Sequence, residues 1–173
     1  MTSKEFLRRL ANGDADILQI LLDLLAEAKA PYCVIGGLAV NAYVEPVVSL
    51  DLDIIVVADQ VKAVCDRATG LGLKVETFPH SVNLGRAGSD LRIQLQTDER
   101  YQSFLGRSVE KSVLGYPMRV AVLEDLLQGK IWAYTDKTRR KSKRQKDLAD
   151  IFRLVESYPE LRDKLPTALK KLI

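Results

Sequence analysis

A chain of 173 residues that is 47% apolar and 28% charged has material for one domain with a real core, in the composition range of ordinary globular proteins. Its longest apolar runs fall far short of the roughly 20 residues that span a bilayer. The opening MTSKEFLRRL lacks the apolar stretch of a signal peptide, so no membrane association and a cytoplasmic location are expected. The net charge of +3 is unevenly placed: KTRRKSKRQK (137–146) holds seven basic residues and no acid, which leaves the remainder slightly acidic. That segment reads either as a polyanion contact or as a solvated linker before a helix.

In chain order, Thr2 and Glu5 fit a capping box for a short first helix. Residues 15–29 follow as an amphipathic helix with Ile17, Leu21, Leu24, Leu25 and Ala28 on one face, stopped by Pro31. The pattern then predicts a strand over 32–35, a helix over 38–44 and a strand over 51–57. Asp59 is placed to cap a helix over 60–69 with Val61, Val64, Cys65 and Ala68 inward. Residues 73–78 and 81–85 read as short strands joined at Pro79–His80, and Gly85–Gly88 as a hairpin turn. Residues 89–97 alternate, with Leu91, Ile93 and Leu95 on one face and Arg92, Gln94 and Gln96 on the other. A short helix over 99–105 and a strand pair over about 109–121 precede three helices, at about 123–135, 143–157 and 160–172. This order gives an α/β (α+β) domain: a mixed sheet flanked by helices with a helical C-terminal part. The division expected is 1–121 as core and 122–173 as a helical segment packed on it, forming a single compact domain. Cys33 and Cys65 read as reduced thiols inside the fold.

The segment VIGGLAVNAYVEPVVSLDLDIIVVA (34–58) carries the chemistry. Asp51 and Asp53 open a β-branched run, and strand alternation puts both on one face with Leu52 on the other. Two like charges side by side are costly unless a cation or proton offsets them. Mg²⁺ takes oxygen ligands, commonly one or two carboxylates plus substrate phosphates. Gly36 and Gly37 end an apolar strand and let the backbone approach a ligand, and the N–H groups of the helix they open can receive phosphate.

These motifs resemble the nucleotidyltransferase superfamily that includes DNA polymerase β: a hydrophobic strand, a glycine pair, about a dozen residues, then Asp-x-Asp. The continuation is similar to the AbiEii/AbiGii-type toxin nucleotidyltransferases, which add a helix with an inward Lys and a later Lys/Arg-Asp-x-x-Asp helix. Those elements match LEDLLQGKIWAY (123–134) and RQKDLADIFRLVE (144–156), so the resemblance covers roughly residues 30–156. It implies a minimal nucleotidyltransferase fold and transfer of a nucleoside monophosphate from an NTP to a hydroxyl of an RNA such as tRNA, or of a protein. It also implies a Mg²⁺ or Mn²⁺ cofactor and a toxin's role beside an antitoxin partner. By residue, it assigns the metal to Asp51 and Asp53, catalysis to these with Lys130 and Asp147, and the nucleotide to Gly36, Gly37, Ser49 and Lys130. The basic segment would then guide an RNA through Arg139, Arg140, Lys141, Lys143 and Arg144.

Two positions depart from the family. The third carboxylate expected on the strand 89–97 is matched by Gln94, and Asp90 and Asp98, each roughly 13 Å along a strand, are too far to replace it. The Arg that often precedes Asp-x-Asp is matched by Val47. These departures keep a second reading open, a nucleotide- or nucleic-acid-binding module of the same fold with weakened turnover. A third is a regulatory protein that only pairs with a partner chain through an apolar patch. Lys130 lies on the apolar stripe of Leu123, Leu126, Leu127, Ile131 and Tyr134 and needs an anionic partner, either a nucleotide phosphate or Asp147. Asp150 is expected to be solvated or to pair with Arg153 or Lys146. Trp132 falls off the stripe and is expected to pack against a neighbouring helix. His80, alone of its kind, has no second His with which to hold a metal.

Overall fold

The computed structural model describes Glu5 and residues 16–172. The capping box at Thr2 lies outside the described residues, apart from Glu5, which is helical. Helix α1 (Ile17–Glu27) starts where Asp16 accepts a hydrogen bond from the Gln19 N–H at 3.0 Å, an N-cap that satisfies one of the free donors of the first turn. The chain then runs β1 (Tyr32–Ile35), α2 (Gly36–Val40), β2 (Asp51–Val56), α3 (Val61–Gly70), β3 (Lys74–Phe78), β4 (Ser81–Gly85) and β5 (Arg92–Gln96). A 3₁₀ segment (Glu99–Arg107), β6 (Val109–Val113), β7 (Tyr116–Val120), α4 (Leu123–Thr135), α5 (Lys141–Ser157), a second 3₁₀ segment (Pro159–Lys164) and α6 (Thr167–Lys170) complete it.

The strands form one mixed sheet in the order β3-β4-β5-β2-β1-β7-β6, flanked by helices, as expected. β1 and β2 are the central pair, antiparallel, and each has a parallel outer neighbour, β7 and β5 respectively. Burial on both faces explains why they read as continuous apolar runs: Val34, Ile54, Ile55 and Val56 are fully buried. The register pairs Ile35 with Asp53 and, on the other side, Asp53 with Gln94 and Asp51 with Arg92. The carboxylate end of β2 is therefore fixed from both sides by strands packed into the core.

Several boundaries differ from those predicted. Residues 58–60 form a 3₁₀ turn, so Gln60 rather than Asp59 precedes α3, with no side-chain cap. α2 is shorter than 38–44 and starts at the glycines themselves. The predicted helix 160–172 is broken at Pro166, which cannot donate to a helical ladder and follows the extended Leu165. On α5 the buried positions are Asp147, Ile151, Leu154 and Val155, with Leu148 and Phe152 half-buried, so Asp147 lies on the inward face. Cys33 is buried and Cys65 half-buried, and both thiols are free.

Candidate active site

The site begins with a backbone conformation. Gly36 has φ +74°, a region that side chains disfavour, and a Cβ built there would lie 2.1 Å from Asp53 Oδ2. The absence of a side chain lets the Asp53 carboxylate rest directly against the turn that joins β1 to α2. Gly37 is under no such constraint; a Cβ there would meet nothing closer than Asp150 Oδ2 at 3.9 Å. The two glycines, equivalent in sequence, therefore differ in what the structure asks of them.

Asp51 and Asp53 share the cleft face of β2, and both line the same two cavities. Asp51 accepts from Arg92 Nη2 at 2.8 Å, its direct partner across β2–β5, and lies 3.4 Å from Lys143 Nζ. Ser49 is folded toward this strand end, its Oγ accepting from the Asp51 N–H at 3.3 Å. Asp53 has no cation within ion-pair distance among the described residues. Burial pushes its carboxyl up to about 6; Lys130 pulls against that shift and the neighbouring Asp51 adds to it.

Helices α4 and α5 supply the opposite wall. Lys130, only 8% exposed, donates to Asp147 at 3.1 Å and contacts Asp150 at 2.6 Å. Burial works against its charge, but Asp150 and Asp147 outweigh that cost and hold the ammonium above its usual range. Asp147 also accepts from Arg139 Nε at 2.8 Å, and Asp150 from Arg153 Nη1 at 2.7 Å. Asp150 thus pairs with Arg153, one of its two expected partners, but inside a network that includes buried Lys130 rather than in solvent, and the other, Lys146, stays exposed. Arg153 extends the network to Asn41 Oδ1 at 2.8 Å, which ties the loop before β2 to α5.

The basic segment divides. Asp136 accepts from the N–H and hydroxyl of Thr138, which folds the chain back. Arg139 and Lys143 then turn into the cleft, while Arg144 donates to the Tyr134 carbonyl at 2.6 Å. Arg140 and Lys141 remain on the exposed surface. Trp132 packs, as expected, on a neighbouring helical element, the predicted helix 99–105 that forms the first 3₁₀ segment, edge-on to Tyr101 and stacked with Phe104, with Arg100 over its ring. Val47 is 56% exposed at the cleft rim and bonded through its backbone to Asn41.

The carboxylate pair separates two cavities. The larger, about 240 Å³, lies on the side of Gly37, Ser49, Lys146 and Arg153. The smaller, about 170 Å³, lies on the side of Gln94, Gln96, Tyr101, Asp125 and Gly129. Asp51, Asp53, Lys130, Arg139, Lys143 and Asp147 line both. Asp51 and Asp53, two carboxylates on one strand face, are hard-oxygen donors that suit Mg²⁺ when substrate phosphates complete its shell. No cluster of three or more His, Cys, Asp or Glu side chains suited to a metal exists among the described residues.

Sequence reasoning missed three contributors. Arg92 was on the face of Gln94, but its bond to Asp51 needs the β2–β5 register. Asp150 needed the rotation of α5 against α4. The aromatic wall of Tyr101 and Phe104 depends on Gly129, where a Cβ would lie 3.2 Å from Tyr101 Cε1; a glycine inside a predicted helix was the available signal.

No family model matches the chain, and no curated protein sequence matches it. Solved structures do. The antibiotic-resistance factor ANT(2″)-Ia in complex with adenylyl-2″-tobramycin is 16% identical with a TM-score of 0.63, over 90% of this chain and 95% of that one. The lincosamide antibiotic adenylyltransferase LnuA, lincomycin-bound, is 15% identical with a TM-score of 0.56, over 83% and 99%. An antigenic nucleotidyltransferase-like protein from Paracoccidioides brasiliensis is 18% identical with a TM-score of 0.55, over 90% and 83%. The mixed seven-stranded sheet and its helical flanks are those of the nucleotidyltransferase fold.

Proposed function

We propose that the cleft binds a nucleoside triphosphate with a divalent cation and transfers the nucleoside monophosphate to an acceptor oxygen, with release of pyrophosphate. The observation that carries this reading is the Asp53 carboxylate seated against the left-handed Gly36 turn, beside Asp51 and facing a buried lysine and two further cations. Asp51 and Asp53 would hold Mg²⁺ or Mn²⁺, which when bound neutralises charge on the transferred phosphoryl group and helps align the attacking oxygen.

The chain's own residues do the rest. Lys143 and Arg92 are the present partners of Asp51; when a metal takes that carboxylate they become available to anionic substrate oxygens. Arg139 and Lys143 stand on both sides of the carboxylates and can follow negative charge from the triphosphate to the leaving pyrophosphate. Lys130 is held by two carboxylates and acts as a fixed positive charge. Ser49 and Gly37 leave room for phosphate in the larger cavity.

The resemblance in the motifs, and not the geometry, supports the finer reading: an AbiEii-type toxin that modifies RNA or protein beside an antitoxin partner. Exposed Arg140 and Lys141 suit such an RNA. Gln94 favours a second reading, a binding module with weakened turnover. Incubation with labelled NTPs, Mg²⁺ and total tRNA, comparing the native chain with Asp53→Ala, separates the two. Label on an acceptor that is lost in Asp53→Ala supports transfer. Metal-dependent nucleotide binding without product supports the module.

A further inference from the structure

Gln94 occupies the position directly across from Asp53, on a parallel neighbour strand, and lines the smaller cavity. A hydroxyl acceptor must lose a proton as it attacks phosphorus, and a carboxylate at this position would be placed to take it. Gln94 cannot. The other carboxylates around that cavity are taken: Asp51 would hold the metal in the proposed function, Asp147 is paired with Lys130 and Arg139, and Asp125 forms a two-pronged pair with Arg107 at 3.0 and 2.9 Å. Asp53 is committed to the metal in the proposed function. His80 lines neither cavity.

What surrounds the reacting point instead is suited to an anion. Gln94 offers amide N–H donors where a carboxylate would repel. Arg139 and Lys143 line the same cavity, and Arg92 sits on the cleft face of β5 beside Gln94. Planar guanidinium groups match phosphate oxygens in a way a hydroxyl does not exploit. The cavity, about 170 Å³, is small beside ligand pockets of about 300–1,000 Å³, so only the reacting end of an acceptor would enter.

Resting on the nucleotidyltransferase reading of this cleft, we infer that the acceptor is a phosphomonoester. With a second pKa near 6, its attacking oxygen is already ionised at neutral pH, and no base is needed. The lone pair of that oxygen forms a bond to the α-phosphorus of the NTP. The bond from the α-phosphorus to the bridging oxygen breaks, and its electron pair leaves with pyrophosphate. No proton passes to the protein. The product is a phosphoanhydride, one anhydride replacing another, so the reaction is readily reversed by added pyrophosphate.

The test uses the whole chain with Mg²⁺ and α-labelled NTPs. Inorganic phosphate, ribose 5-phosphate and a 5′-phosphorylated oligoribonucleotide are each offered beside counterparts that lack the terminal phosphate: no additive, ribose and the 5′-hydroxyl oligonucleotide. The expected result is label on phosphorylated probes alone, reversed by pyrophosphate. In Gln94→Asp, binding of ribose 5-phosphate to the complex with an α,β-methylene NTP analogue should weaken about tenfold or more, because a carboxylate would oppose the dianion. Gln94→Leu, which removes the donors without adding charge, should fall between.

Calorimetric binding of the analogue alone checks the underlying reading. If the analogue fails to bind with Mg²⁺, the nucleotidyltransferase reading falls and this inference with it. If it binds, then label on hydroxyl probes alone, no label on any phosphorylated probe, or equal ribose 5-phosphate affinity in the native chain and Gln94→Asp overturns the phosphomonoester acceptor only.

Discussion

The two cavities beside the carboxylate pair share six residues yet are built by different means. The Gly37 side is held by polar groups: Arg153 bridges Asp150, Asn41 and the Glu45 carbonyl, and the rim is a loop carrying exposed Val47 and Val48. The Gln94 side is held by packing: Tyr101 and Phe104 are buried, lie edge-on to each other, and press on Gly129. A wall made of ion pairs rearranges when a charged ligand competes for its partners, whereas a wall made of packed rings does not. The first suits a triphosphate that arrives with its own counterion. The second suits a small, defined opening for the reacting end of an acceptor.

The largest effect is expected at the boundary between them. On the proposed function, Asp53→Asn should abolish transfer, by at least about 10³-fold, because it removes one of the two carboxylates proposed to hold the metal. The same change should stabilise the metal-free fold. Asp53's folded pKa, about 6, lies above its usual value, so ionising it opposes folding. That penalty is absent below about pH 4, grows as pH rises through this window, and is complete above about 6. Melting at pH 8 should show a gain of up to about 3 kcal/mol for Asp53→Asn, shrinking toward zero at pH 4.

Lys130→Ala comes next and affects both cavities. It leaves Asp147 and Asp150 buried without their shared ammonium, a loss of about 3 kcal/mol read by denaturant melts. Pairing it with Asp150→Asn should recover part of that loss. Full additivity of the two changes would mean that Lys130 and Asp150 do not interact as described.

Gly36→Ala should cost about 1–2 kcal/mol for backbone strain alone and should also displace Asp53 and lose metal binding. Gly37→Ala should do neither, since its surroundings are open. Equal effects would erase the distinction between the glycine that seats a carboxylate and the one that only leaves space. The smallest effect is expected outside both cavities. Arg140→Ala with Lys141→Ala should leave NTP binding unchanged and lower the salt dependence of any RNA binding by a slope of about two.

The central strands and the shared face of Asp51 and Asp53 were legible because they depend on local alternation and burial. So was the inward Lys130, because a charge on an apolar stripe stands out. The partners were not. That Arg92 meets Asp51 follows from a parallel register between strands 41 residues apart, and that Lys130 meets Asp150 follows from how α5 is rotated against α4. Neither can be read within one element. The break in the last predicted helix is a different case: Pro166 is itself a local stop signal inside 160–172.

The central claim is that Asp51 and Asp53 hold a divalent cation that an NTP completes. Calorimetric titration of Mn²⁺ into the native chain, with and without an α,β-methylene NTP analogue, tests it most directly. The account predicts weak binding alone, at least about tenfold tighter binding with the analogue, and loss of both in Asp53→Asn. Metal affinity that is unchanged by the analogue, or unchanged in Asp53→Asn, would contradict it.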